Sequence, residues 1–198
     1  MTYTNEQIGA LVEPARLHRS IYNDPEIFEL EMERIWGSAW IFIGHESQVP
    51  DPGDYYTLNI NHKIPVVMVR DRQGEVHVLH NRCAHKGAKL VDTRCGNARA
   101  FRCCYHGWTF NTDGTLLKIP NEAGYEGTGF DVQDPANNMQ KVAQYESYRG
   151  FVFATLDAGA PDIRTWFGGS IDCLDNLCDR APEGEVEVAG GVLRYEQD

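Results

Sequence analysis

The sequence predicts a mainly β protein, an antiparallel sandwich or small barrel with flanking helices. Three observations lead there. From Trp40 onward, short apolar or alternating runs follow one another at strand length. Turn-forming clusters separate them, as at Asp51 to Asp54, Asp71 to Gly74 and Thr112 to Gly114. Helical spacing is confined to the stretches before Trp40 and after Asp157. The chain therefore divides into an N-terminal helical segment over 1–39 that packs on the main body, a β domain over 40–157, and a mixed stretch over 158–198.

The first well-signalled helix runs from Asp24 to about Ser38. Asp24 is a capping residue, Pro25 suits the first helical position, and Glu26 and Glu29 favour the positive end of the helix dipole. Phe28, Met32, Ile35 and Ala39 recur at spacings of three and four, which predicts a buried face. Strands are expected near Trp40–His45, Tyr55–Ile60, Val66–Arg70, Glu75–His80, Ala98–Arg102, Trp108–Asn111 and Thr115–Ile119. Residues Pro120 to Asn138 predict a long irregular excursion, after which Val142–Tyr148 and Phe151–Leu156 return to strand character. Pro161 to Asp179 has helical spacing broken by Gly168 and Gly169, and Val186–Tyr195 alternates as a strand does. A strand so near residue 198 would lie on a poorly supported edge, so a piece of a longer chain is expected.

A formal charge of −11 argues against nucleic acid as a partner, because phosphates demand a basic surface. The longest apolar runs, Trp40–Gly44 and Gly150–Leu156, are far short of a bilayer span, and the N-terminus lacks a secretory pattern. A cytoplasmic protein that does not enter the membrane is expected. Six cysteines could make three disulfides, but a reducing compartment leaves thiols free unless they hold metal or do redox chemistry. Cys173 and Cys178 are expected to be buried thiols near a helix, and Cys95 a loop thiol.

Chemistry concentrates in Cys83-Ala84-His85 and Cys103-Cys104-Tyr105-His106, with seventeen residues between His85 and Cys103. Thiolate and imidazole are both transition-metal ligands, and two converging pairs make four. Zinc fingers commonly place cysteine with cysteine and histidine with histidine, whereas each pair here is mixed. Two loops that each reach both irons of a two-iron cluster would need such mixed pairs. A structural zinc module remains the other reading of the spacing. His18, His45, His62, His77 and His80 lack comparable pairing and are expected to be structural or exposed. Arg82, Lys86, Lys89, Arg94, Arg99 and Arg102 gather around the two segments, either as a collar for the centre or for an acidic donor, or as ordinary solvated charge.

The motifs Arg82-Cys83-Ala84-His85-Lys86-Gly87 and Cys103-Cys104-Tyr105-His106-Gly107-Trp108-Thr109-Phe110, followed by Asp113-Gly114 and Leu116, carry a resemblance over essentially the whole chain. It resembles the N-terminal part of the alpha, or large, subunit of the Rieske non-haem iron aromatic ring-hydroxylating dioxygenases. The resemblance implies a Rieske antiparallel β domain followed by the start of an α+β catalytic domain. It implies a [2Fe-2S] cluster on Cys83, His85, Cys103 and His106. It further implies a mononuclear Fe(II) in a catalytic domain beyond this chain, with no catalytic residue of that iron site within the 198 residues. Electrons are then expected from NAD(P)H through a reductase or ferredoxin, and the full-length protein is expected to be an alpha3 or alpha3beta3 oligomer acting on an aromatic substrate. An autonomous Rieske ferredoxin is the alternative, against which stand the first helix and the tail after Asp157.

High-potential Rieske proteins carry a disulfide between the loops and a serine two residues past the second histidine. Ala88, Tyr105 and Trp108 occupy those places here, so the resemblance implies a low-potential centre. The family commonly has proline where Cys104 stands; Cys104 is expected to be an inert, buried thiol, the other reading being a weak S–H hydrogen bond near the cluster, and in neither case a ligand.

Overall fold

The structure, a computed structural model, describes residues 3–189. Helix α1 (Asn5–Gly9), the hairpin of β1 (Val12–Glu13) and β2 (Arg16–Leu17), helix α2 (Ser20–Asn23) and helix α3 (Pro25–Arg34) come first. The β body contains β3 (Ile41–His45), β4 (Asp54–Ile60), β5 (Ile64–Arg70), β6 (Val76–His80) and β7 (Cys95–Asn97). It continues with β8 (Phe101–Arg102), β9 (Thr109–Phe110), β10 (Leu116–Lys118), β11 (Gln144–Tyr148) and β12 (Phe151–Thr155). Helices α4 (Ile163–Phe167) and α5 (Asp172–Cys178) follow, joined by a tight turn at Gly168–Ile171, where the paired glycines were expected to break the helix.

The body consists of antiparallel sheets of order β6-β5-β4-β7, β11-β12-β3 and β10-β9-β8. The expected mainly β antiparallel architecture is therefore present, with each predicted strand from Trp40 to Leu156 represented by an observed one. Strand β7 was not expected, because Cys95-Gly96-Asn97 has neither apolar alternation nor β-branched residues and pairs only along Asp54 to Tyr56.

Strand β5 lies between two hydrophobic layers. Successive side chains of a strand point to opposite faces, so Val67 and Val69 join one core and Val66 and Met68 the other. All four are fully buried. The first core also holds Cys83, Cys103, Trp108 and Phe110; the second is built from Ile43, Ile60, Val78, Val142, Val152 and Ala154. Val78 and Leu79 divide between the same two layers on β6.

Helix α3 starts as expected, with the Asp24 side chain accepting from the Glu26 N–H at 2.9 Å and Pro25 in the first turn. Its buried face was misassigned. Ile27 and Leu30 are the buried residues, whereas Phe28 and Ile35 are 45% and 57% exposed. The spacing of apolar residues is helical on both stripes, and the body contacts the one that brings Glu29 to Lys63 at 2.7 Å. At the far end, Tyr148 Oη donates to Asp175 at 2.7 Å and Arg149 bridges Asp175 and Asp179, tying α5 to the β11–β12 turn. Trp40 Nε1 donates to the Pro161 carbonyl at 2.9 Å, and its ring packs with Ile163 and Ile171. The strand expected over Val186–Tyr195 is absent from 186–189, and 190–195 lie outside the described residues.

Candidate metal centre

Two loops with a common backbone form the site. The first leaves β6 and runs through Cys83 to Ala88; the second leaves β8 and runs through Cys103 to Trp108. In each, the cysteine N–H donates to the carbonyl five residues on, Cys83 to Ala88 and Cys103 to Trp108, both at 2.8 Å. The N–H four residues on returns to the cysteine carbonyl, Gly87 to Cys83 at 2.8 Å and Gly107 to Cys103 at 3.0 Å. These reversals need a left-handed residue, and Gly87 and Gly107 supply it at φ +72° and +73°. A β-carbon at Gly107 would also come within 2.8 Å of the Pro120 ring.

The loops bring the two cysteines together. Cys83 and Cys103 are 3% and 2% exposed and belong to the same buried cluster, where each influences the other's ionisation. Burial pushes the Cys83 thiol above its ordinary value, outweighing the N–H groups of His85 and Lys86 that face its sulfur. Burial acts on Cys103 in the same sense, but the N–H groups of Tyr105 and His106 and the Cys83 thiol together hold Cys103 below its ordinary value.

The histidines meet on the same loops. The His85 and His106 rings lie edge to face, 4.7 Å between centroids. Trp108 stacks on His85 at 4.8 Å and 9°, although it belongs to the opposite loop. Burial chiefly, and then the charges of His106 and Lys86, hold His85 below the usual histidine range. Its buried Nδ1 has no hydrogen-bond partner among the described residues. His106 is exposed, with the exposed Tyr105 ring 3.8 Å away. A pair of buried thiols, an adjoining imidazole pair and an orphaned ring nitrogen fit a group that takes mixed sulfur and nitrogen donors.

Comparison with known families decides what kind of site this is. Residues 39–149 match the Rieske [2Fe-2S] domain. The chain belongs to the Rieske [2Fe-2S] domain family. Toluate 1,2-dioxygenase subunit alpha of Pseudomonas putida is 39% identical over 182 residues, 91% of this chain and 39% of that subunit. Biphenyl dioxygenase subunit alpha of Paraburkholderia xenovorans strain LB400 is 38% identical over 95% of this chain and 42% of its own length. Among solved structures, naphthalene 1,2-dioxygenase from Rhodococcus sp. bound to indole superposes with a TM-score of 0.81 at 32% identity, covering 91% of this chain and 42% of that one. The chain thus spans about two fifths of the length of the relatives it matches.

Three of the other histidines have local partners. His77 lies between Asp71 at 2.8 Å and Tyr145 at 3.0 Å, His45 meets Ser47 at 2.9 Å, and His18 meets Ser20 at 2.8 Å. Cys104 is exposed, correcting the expectation of burial: its neighbour Cys103 points into the core and the turn sends Cys104 outward. Cys178 is buried as expected, but Cys173 is exposed on α5, and Cys95 is an exposed strand residue. Of the basic collar, Lys89 pairs with Asp92 at 3.5 Å and Arg94 donates to the Tyr56 hydroxyl.

Two contributions to the site were not anticipated. The excursion after Pro120 supplies Phe130, edge-on to Trp108 at 5.7 Å, with Tyr125 behind it at 4.6 Å. Asn81, fully buried, ties the two ends of the first loop together. Neither has a spacing signal; aromatic residues in the otherwise polar excursion were the available hint for the first.

Proposed function

We propose that this chain holds a Rieske [2Fe-2S] cluster through Cys83, His85, Cys103 and His106. In the longer protein it passes single electrons to a mononuclear non-haem iron that hydroxylates an aromatic substrate with O2. The observation that carries the reading is the convergence of the two loops, which pairs the buried sulfurs of Cys83 and Cys103 and sets the rings of His85 and His106 edge to face. When bound, the cluster supplies one-electron redox chemistry at nearly constant geometry. The chain's part is to hold the ligands and exclude water. Backbone N–H groups of His85, Lys86, Tyr105 and His106 aimed at the cysteine sulfurs stabilise negative charge there. Trp108, only 4% exposed, and Phe130 cover the His85 side, while His106 remains exposed and is the ring through which electrons reach a partner.

The names of the relatives support an aromatic ring-hydroxylating dioxygenase alpha subunit over a free-standing carrier, since matches run through 91% to 95% of this chain, beyond the Rieske domain itself. A ferredoxin or reductase drawing on NAD(P)H is the proposed donor, and an alpha3 or alpha3beta3 assembly the proposed full-length state. In this proposal the mononuclear Fe(II) and the aromatic pocket lie outside residues 1–198. Among the described residues no helix is long and apolar enough to cross a membrane; a cytoplasmic location is part of the proposal. The test is iron, acid-labile sulfide and electron paramagnetic resonance on the purified chain, with a single-turnover assay on aromatic acids and hydrocarbons. Two irons, two sulfides, a Rieske signal and no hydroxylated product are expected. Stoichiometric zinc without sulfide would overturn the cluster, and product formation would overturn the division of labour.

A further inference from the structure

The two cluster loops share a backbone but are closed at the base by different means. Loop two is closed by a strand ladder, because Phe101 pairs with Phe110 and Arg102 with Thr109 on either side of it. Loop one has no such ladder: β6 ends at His80, and residues 88–94 form no strand. At the position two before the cysteine, where loop two has Phe101, loop one has Asn81.

Asn81 is 0% exposed, and its carboxamide makes three hydrogen bonds across the loop mouth. Oδ1 accepts from the N–H groups of Leu90 at 3.1 Å and Val91 at 2.9 Å, and Nδ2 donates to the Val91 carbonyl at 2.7 Å. Its own N–H donates to the Pro65 carbonyl on β5, which anchors the clamp to the sheet. A carboxamide carries the same donor and acceptor as a peptide group, so the side chain stands in for the ladder that loop one lacks.

We propose that Asn81 is the positioning residue of the first ligand loop, holding Cys83 and His85 in place by closing the loop base while leaving Cys103 and His106 to the β8–β9 ladder. The placement of His85 as a ligand rests on the function proposed above; the closure of the loop does not. Removing the carboxamide leaves the buried Val91 N–H and carbonyl and the part-buried Leu90 N–H without their partner, so local opening of loop one becomes much more frequent while the rest of the chain is held by other contacts.

The decisive measurement is the alkylation rate of individual cysteines in the iron-free chain, followed by mass spectrometry, for wild type, Asn81→Ala, Asn81→Asp and Asn81→Ser. Val152→Ala, which opens a cavity in the core away from the loops, serves as a control for general destabilisation. In Asn81→Ala, Cys83 is expected to react about tenfold faster or more, and by a clearly larger factor than Cys103, which the β8–β9 ladder still holds. Asn81→Asp keeps the acceptor and loses the donor, and falls between. Val152→Ala shifts both cysteines together or neither. If Asn81→Ala does not fold, Asn81→Asp and Asn81→Ser decide by the same ratio. Equal acceleration of both cysteines, or of neither, overturns the proposal. On the iron-replete chain, altered resonance g-values or midpoint potential in Asn81→Asp at unchanged global stability is the second expected signature. A wild type that binds no iron and sulfide would refute the proposed function, while the alkylation ratio would still judge Asn81.

Discussion

The two faces of β5 bear different cores. Val66 and Met68 join an almost wholly aliphatic layer, whereas Val67 and Val69 join one that contains Trp108, Phe110, Phe101 and the cysteines of both loops. The aliphatic layer can be judged by packing alone. In the other layer the same buried positions also set where Cys83 and Cys103 stand, so packing there is inseparable from the metal centre. One strand with four buried residues in succession thus serves stability on one side and function on the other.

The sharpest break in that comparison comes from the proposed ligands. Replacing Cys83 or Cys103 with serine, or His85 or His106 with alanine, is expected to abolish the two-iron centre, because no other thiol or imidazole is placed to substitute. Iron and sulfide analysis with electron paramagnetic resonance checks it, and a wild-type signal in any of the four would remove that residue from the set.

Next in size are matched truncations on the two faces. Phe110→Ala should cost about 3–5 kcal/mol and Met68→Ala about 2–5 kcal/mol in denaturant unfolding of the iron-free chain. Only Phe110→Ala is expected to shift the resonance signal or speed iron loss, since it packs among the loop residues. Equal effects of the two variants on the signal would dissolve the distinction between the cores.

Much of this was legible in the residues. Alternation and turn chemistry located the strands from Trp40 to Leu156 to within a few positions, β7 excepted, and the mixed Cys–His spacing picked out the residues that the loops bring together. What failed had a common cause. The two apolar stripes of α3 have the same period, and which of them is buried, the one with Ile27 and Leu30, depends on the rest of the fold and not on the helix's own pattern. Strand β7 exists because Asp54 to Tyr56 offer it a partner. Asn81, whose side chain replaces a missing ladder, looks in sequence like any polar residue after a strand. Periodicity reports what one segment prefers, and these outcomes depend on what a distant segment presents.

A smaller effect is expected at Trp108. The family resemblance implies that a hydroxyl at this position raises the potential, and Trp108 stacks on His85. Trp108→Ser would supply a hydrogen-bond donor and admit water beside the histidine. Both stabilise the more negatively charged reduced state, so voltammetry is expected to show a raised midpoint potential; an unchanged or lower value would contradict both causes.

Acid should act in two stages on the iron-free chain. His80 is held below the usual histidine range by burial and then by Arg82, and His85 is shifted in the same direction. A lowered histidine binds its proton more readily when unfolded, so its contribution is present above the unfolded value and lost as pH falls below about 6.5 towards the folded value. Asp71 follows at lower pH. Burial opposes its charge but is outweighed by hydrogen bonds from His77 and the N–H groups of Glu75 and Gln73, so its contribution is lost as pH falls below the ordinary carboxylate value. Melting temperature against pH should therefore decline from about pH 6.5, and His80→Gln should remove part of that first decline. No change in slope would show that His80 does not titrate with folding.

The smallest effect is expected where sequence proximity to the site is greatest. Cys104 adjoins Cys103, yet the turn that buries one exposes the other, and the N–H and carbonyl of Cys103 are already committed to Trp108 and Gly107. For Cys104 to serve as a ligand, loop two would have to rotate by one residue. That would break both of those hydrogen bonds and move Gly107, whose left-handed conformation and close approach to Pro120 fix the register. Cys104→Ala is therefore expected to keep two irons per chain, an unchanged resonance signal and an unchanged unfolding midpoint. Loss of iron on this one substitution would mean that the register of loop two differs in the loaded protein. The difference between the rigid ladder of loop two and the side-chain clamp of loop one would then have to be reversed.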